Sequence, residues 1–312
     1  MPPPISGCII SRNDATQIER CIGSLATVAA EIIVVDTGST DDTAVVARGA
    51  GARVESFPWC DDFSAARNHA LSLAQHAWII VLDTDEVLAP NQDQLILDLI
   101  SRPEAYGYSC QIRNALPGGN EFLSQMTRLF RNDPRIRFAG RVHEHVDPAL
   151  EKLGHPPEPC ELTILHSGYG VDEATNRAKA ERNIKGLLKD YHDDPKNRFV
   201  ALKIGQLYTT LGEHGRALKF LRTGTLSSDP ALAAEAYNGI AGVHLAKAEF
   251  EPALRACAQS ISRVPYQRMA YVIVSQILQA MGRHRDAEAQ LSIARSMTGR
   301  SHLRADVPVI GR

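Results

Sequence analysis

The sequence predicts two unlike halves: an α/β domain built on a doubly wound parallel sheet, then an all-α domain of helical repeats. Three observations carry this. Apolar runs that read as strands alternate with helical segments over the first hundred residues, the pattern that builds a parallel sheet. From about residue 172 the chain reads as helix, and a pattern of small residues recurs along it. Charge divides at the same place: residues 1–170 hold 13 Lys+Arg against 22 Asp+Glu, a net −9, while residues 171–312 hold 21 against 14, a net +7. The expected domains are 1–171 and 172–312.

With 312 residues and 44% apolar content, the chain is long enough to bury two cores. No apolar stretch approaches the roughly 18 residues that cross a bilayer. The start, MPPPISGCII, lacks a basic segment followed by a long apolar one, so no secretory signal is expected. Six scattered cysteines without a C-x-x-C pair suggest reduced thiols and a cytoplasmic location, not a disulfide frame or a zinc site. No clustered basic footprint marks a nucleic-acid partner.

Residues 5–10 (ISGCII), 31–36 (EIIVVD), 52–57 (ARVESF) and 78–82 (WIIVL) read as strands, with helices at 14–25, 39–51 and 62–75 between them. After a further helix near 92–101, short β pieces take over: YGYSCQIRN, SQMTRLFRN, RVHEHV and ELTILHSGY. Asp36 and Asp83 each close an apolar strand, and Asp83-Thr84-Asp85-Glu86 sets three carboxylates within four positions. Such acids can cap the next helix or sit in water. Like charges so close otherwise need a cation or donors, and the carboxyl ends of parallel strands are where open α/β sheets bind ligands. The turn Gly38-Ser39-Thr40 opens the next helix with spare backbone N–H groups, as a phosphate site would and as any strand-to-helix loop does.

Together, V-V-D-x-G-S-x-D-x-T at 34–43, FSAARNHAL at 63–71 and D-T-D-E at 83–86 resemble the family 2 glycosyltransferases, whose GT-A fold is a Rossmann-like nucleotide-sugar-binding domain. The resemblance covers roughly residues 3–170. It implies that Asp36 contacts the base or ribose of the nucleotide, with Ser39 in the turn that follows. Arg67 and Asn68 would line the nucleotide pocket; structural hydrogen bonding is the other reading of both. Asp83 and Asp85 would be the family's D-x-D. Asp85 would ligate a divalent cation, Mn2+ or Mg2+, that bridges the diphosphate of a donor such as a UDP-sugar, and Asp83 would help through ribose or metal. His166, closing ELTILH much as Asp83 closes its strand, would be a further metal ligand. Inverting transfer needs a base for the acceptor's proton, and FAGRVHEHVD (138–147) supplies Glu144 as the first candidate. His143 and His145 are alternative bases or ligands, sharing one face if this segment is a strand. The family's common N-E near the first strand is N-D here, at Asn13 and Asp14, and the Q-x-x-R-W element of processive synthases is absent.

In the second half, Gly205, Tyr208, Gly212, Ala217 and Leu221 are matched by Tyr237, Ala241, Ala248, Ala253 and Cys257, then by Tyr271, Gly282, Ala287 and Leu291. The alanines at 217, 253 and 287 recur after 36 and 34 residues, close to the 34-residue tetratricopeptide period. The segment resembles tetratricopeptide repeats; a generic helical bundle is the plainer reading. Helix-pair repeats make concave surfaces for partners, so a peptide or protein acceptor is expected, with a lipopolysaccharide-core or other glycan as the alternative. A homodimer through the repeats stays open. The rival from another class is a non-catalytic nucleotide-sugar-binding scaffold. A nucleotidyltransferase would need a glycine-rich, lysine-containing loop at the first strand, and none is present.

Overall fold

A computed structural model describes residues 4–115, 121–167 and 173–297. The chain divides into two compact units, Met1–Asp172 and Glu173–Arg312. The boundary expected at 171/172, and the last two residues of the piece ELTILHSGY, lie outside the described residues.

In the first unit, β1 (Ile5–Ser11), α1 (Ile18–Leu25), β2 (Glu31–Asp36), α2 (Thr43–Gly49), β3 (Arg53–Ser56), α3 (Phe63–Leu73) and β4 (Trp78–Leu82) follow the expected alternation. Then come β5 (Glu86–Leu88), α4 (Asp93–Ile100), β6 (Gly107–Ala115), β7 (Glu121–Arg131), α5 (Asp147–Lys152) and β8 (Glu158–His166). They build one eight-stranded sheet in the order β3-β2-β1-β4-β7-β6-β8-β5. The first four strands are parallel, as predicted; β7 then runs antiparallel to β4 and to β6, while β8 runs parallel to β6. β4 shows why its sequence is apolar at every position. Trp78, Ile80 and Leu82 enter one core layer and Ile79 and Val81 the other, so the strand is buried on both faces.

Three local expectations need correction. α1 and α2 start four residues late, because Asp14 and Ser39–Asp42 are held as turns: Asp14 O accepts from Gln17 and Ile18, and Asn13 Oδ1 accepts from Thr40 N. β5 was not foreseen; three residues are too few to show a period. RVHEHV is no strand. Gly140 (φ +91°) and His143 (φ +59°) both take left-handed backbone, which an extended strand cannot hold, and only an isolated bridge joins Ala139 to His145. His143 and His145 therefore do not share a strand face.

The second unit is α6 (Glu173–Asp193), α7 (Arg198–Thr210), α8 (His214–Gly224), α9 (Pro230–Ala246), α10 (Phe250–Arg263), α11 (Arg268–Ala280) and α12 (His284–Ser296). Asn197 caps α7 by accepting from Val200 N, and Asp229 caps α9 with Pro230 next, where its missing N–H costs nothing. Small residues let the helices close up. A Cβ on Gly205 would come 2.6 Å from Leu221 Cγ, and one on Gly239 2.8 Å from Leu221 Cδ2. The α7–α8, α9–α10 and α11–α12 turns each pass through a left-handed residue, Gly212, Ala248 and Gly282.

Candidate active site

The acids that ended apolar runs in the sequence stand at the carboxyl ends of parallel strands. Asp36 ends β2 beside Ser11 of β1, and its two carboxylate oxygens accept from Ser39 N (3.2 and 3.3 Å) while Oδ1 also takes Ser39 Oγ–H. Asn13 N donates to Ser39 Oγ and Asp14 N to Thr43 Oγ1, so the N-D pair ties the end of β1 to the loop after β2.

Beyond β4 the charges form a chain. Glu144 Oε1 accepts from Arg67 Nε at 2.6 Å, and Arg67 Nη2 donates to Asp83 Oδ1 at 2.5 Å. Asp83 Oδ2 accepts from Arg128 Nη2 at 2.8 Å, and the same nitrogen reaches Glu86 Oε1 at 2.7 Å. Glu86 Oε2 returns to accept from Asp83 N. Arg67, Arg128 and Glu86 are buried; Asp83 is half-buried. Burial alone would raise the Asp83 carboxyl, but the two guanidiniums outweigh it and hold it well below the usual carboxylate range. Glu86 goes the other way: its burial is only partly offset by Arg128, and its pKa is raised.

Asp85 faces elsewhere. Its Oδ2 lies 3.3 Å from His166 Nε2, and Ser167 N donates to Asp85 O, tying the two segments at the backbone. His166 is paired in the sheet with Glu86 on one side and Asn114 on the other. Asn114 Nδ2 donates to Ser124 Oγ and Ile112 O, which leaves Oδ1 to accept from His166 Nδ1–H at 2.9 Å. In a neutral ring this arrangement places the proton on Nδ1. Nε2 is left facing a carboxylate, an arrangement that requires a proton or a cation between them. Burial lowers the His166 pKa, yet the hydrogen bond and charge of Asp85, with Glu86 and Asp83 behind it, raise it further than burial lowers it.

The donor set therefore fits a divalent cation at Asp85 and His166: one oxygen, one nitrogen, and a ring oriented from behind by an amide. Of the three expected ligands the structure brings these two together, while Asp83 is engaged by arginines through both oxygens. Among the described residues no three His, Cys, Asp or Glu side chains converge on a point. Asn68 clamps a loop, its amide donating to Phe138 O and accepting from Phe138 N. Three residues went unassigned by sequence reasoning: Arg128, Glu86 and Asn114. A lone arginine between Met126 and the apolar pair Leu129-Phe130 was the available signal, since a buried cation needs an acid.

A family model for Glycosyl transferase family 2 matches residues 6–150. The chain is 37% identical over 201 residues to an uncharacterized glycosyltransferase, RP128, of Rickettsia prowazekii, spanning 59% of this chain and 68% of that one. The chain belongs to glycosyl transferase family 2. This family 2 chain is also 36% identical over 232 residues to a TPR repeat-containing protein of Synechococcus elongatus, covering 72% of its own length and 57% of the relative's. To the SPbeta prophage-derived glycosyltransferase SunS of Bacillus subtilis it is 27% identical over 224 residues, covering 70% and 53%. It thus spans just over half the length of these last two relatives. Its first unit is the GT-A-like sheet of the family, followed by tetratricopeptide-like helices. No helix among the described residues is long and apolar enough to cross a membrane.

Proposed function

We propose that the protein is a metal-dependent, inverting glycosyltransferase that moves a sugar from a nucleotide-sugar donor to a peptide or protein acceptor, with a UDP-sugar the first donor to test. The pairing of Asp85 with His166, backed by Asn114, carries this reading. These two side chains would hold the cation, leaving the rest of its coordination to oxygens from outside the protein. Bound there, Mn2+ or Mg2+ offsets the negative charge gathering on the departing nucleoside diphosphate. Asp36 accepts hydrogen bonds from the nucleoside, and Ser39 keeps the adjoining turn in shape. Asp83, fixed between Arg67 and Arg128, faces the donor as an acceptor for ribose hydroxyls. Arg67 also holds Glu144 by one oxygen; Oε2 makes no hydrogen bond among the described residues and takes the acceptor's proton. His143 and His145, exposed on the same loop, are the alternative bases. Asn68 holds that loop through Phe138. The helical repeats supply the surface for the peptide or protein acceptor, and the free cysteines suit a cytoplasmic location.

The test is thermal stabilisation by UDP and UDP-sugars, with Mn2+ and with chelator, in wild type and Asp85→Asn. Stabilisation that needs Mn2+ and is lost in Asp85→Asn is expected; equal stabilisation in excess chelator removes the metal from the reading. Once a donor is in hand, Glu144→Gln should lower transfer by roughly 10²–10⁴ while leaving donor binding intact. Near-normal turnover in that variant, with His143→Ala or His145→Ala inactive, moves the base to that histidine.

A further inference from the structure

Two cysteines that the candidate site does not use stand together. Cys110 of β6 and Cys160 of β8 have their sulfurs 3.9 Å apart. The ladder between the strands is irregular at this point. Ser109 pairs with Pro159 and Gln111 with Thr163, so β8 spends four residues where β6 spends two, and Cys110 sits opposite the bulge. Cys110 is fully buried, and Cys160, packed against the same core, is partly exposed, so Cys160 is the more accessible of the two. By contrast, the buried Cys8 and Cys21 direct their thiols at the backbone carbonyls of Ala70 and Asp83. Farther along the same two strands, Ile112 pairs with Ile164 and Asn114 with His166.

We propose that Cys110 and Cys160 form an oxidisable dithiol, a covalent modification site for small-molecule disulfides. Cys160, as thiolate, attacks one sulfur of R–S–S–R; that S–S bond breaks, RS⁻ departs, and Cys160 carries the mixed disulfide. Cys110 then gives its proton to water, its sulfur attacks the Cys160 sulfur, and the second RS⁻ departs. Two protein thiols thereby lose two electrons and two protons, and R–S–S–R is reduced to two RSH. The roles follow from accessibility, and the local chemistry agrees. The contact between the two thiols lowers Cys160 below its ordinary value against the opposing effect of burial, while that same contact and burial raise Cys110. The closed bridge locks the β6–β8 ladder upstream of the Asn114–His166 pair.

The experiment uses the full chain carrying Cys60→Ser, which removes the exposed thiol, incubated with oxidised glutathione without denaturant. Peptide mapping should find one bridge, between Cys110 and Cys160. Cys110→Ser should stop at a single glutathione on Cys160, and Cys160→Ser should leave Cys110 a thiol. Hydrogen exchange at 111–114 and 163–166 should slow severalfold in the bridged protein. A bridge elsewhere, two thiols that persist, or Cys110 taking glutathione as readily in Cys160→Ser as Cys160 does in Cys110→Ser overturns the site. A mapped bridge with unchanged exchange overturns the locking of the ladder.

Discussion

Around Asp83 in the first unit, Glu144, Arg67, Arg128 and Glu86 meet it in one run of ion pairs, whereas in the second unit Leu221 of α8 seats itself against the bare backbones of Gly205 and Gly239. The repeats also bury a cation, Lys203, but its acid, Glu235, is 3.8 Å away and shared with Gln206. The contrast separates two uses of burial. Buried ion pairs regain little more than their desolvation costs, so the run of charges is poorly explained as a source of stability. It is well explained as a frame that aims carboxylates at the strand ends. The glycine–leucine contacts need no such second purpose; close packing of apolar atoms is itself stabilising.

Removing one charge from the frame should give the largest effect. Arg128→Met leaves Asp83 and Glu86 facing one another without their shared guanidinium. A loss of about 3–5 kcal/mol is expected, the usual scale for breaking a buried pair from one side. Adding Glu86→Gln should recover part of it by removing the acid left without a guanidinium, since Asp83 keeps Arg67. Urea unfolding followed by hydrogen exchange assigns the loss to a unit. A loss below about 1 kcal/mol, or one falling on the helices, would sink the account of the frame.

The repeat unit should respond more mildly and in both directions. Gly205→Ala pushes a methyl within 2.6 Å of Leu221 Cγ and 3.0 Å of Leu221 N. Overpacking of about 1–3 kcal/mol exceeds the ~1 kcal/mol that Ala gains over Gly in a helix, so a net loss confined to the helices is expected. Ala248→Gly should do the reverse. Ala248 holds φ +56° at the turn position where Gly212 and Gly282 stand in the flanking repeats. Relieving that backbone should gain up to about 1 kcal/mol. Stability unchanged in both variants would mean the helices tolerate repacking that the contacts do not suggest.

The same contrast explains what the sequence disclosed. The repeats were legible because each unit restates the same positions. Asp36, Asp83, Asp85 and His166 were legible because each follows a run of apolar residues, and a polar group there must lie at a strand end. The partners were not. Arg128 and Asn114 sit on strands far along the chain from Asp83 and His166, and only the sheet order brings them in, β7 lying antiparallel beside β4 and β6 parallel beside β8. Glu86 was visible as a third acid, but its inward direction follows from β5, whose three residues carry no period. RVHEHV misled because alternating residues imply a strand until a left-handed histidine interrupts it.

The smallest effect is expected at an ion pair whose cation lies in water. Asp133 holds Arg135 through Nη2 at 2.6 Å, Nε at 2.9 Å and the backbone N at 2.8 Å, with Arg135 well exposed. The hydrogen bonds from the Arg135 side chain and backbone lower the Asp133 pKa to about 2. A carboxyl depressed on folding contributes stability that is fully present above its unfolded value near 4, and that disappears as pH falls through its folded value. Asp133→Asn should thus cost less than about 1 kcal/mol at neutral pH, and the gap to wild type should close between about pH 4 and pH 2. Molar salt should narrow the gap at neutral pH as well, because exposed charges are screened. Arg128→Met, whose charges are shielded from ions, should keep its deficit in the same salt. If salt instead shrinks both deficits alike, the charges around Asp83 are as open to water as those around Asp133, and the distinction between frame and surface pair fails.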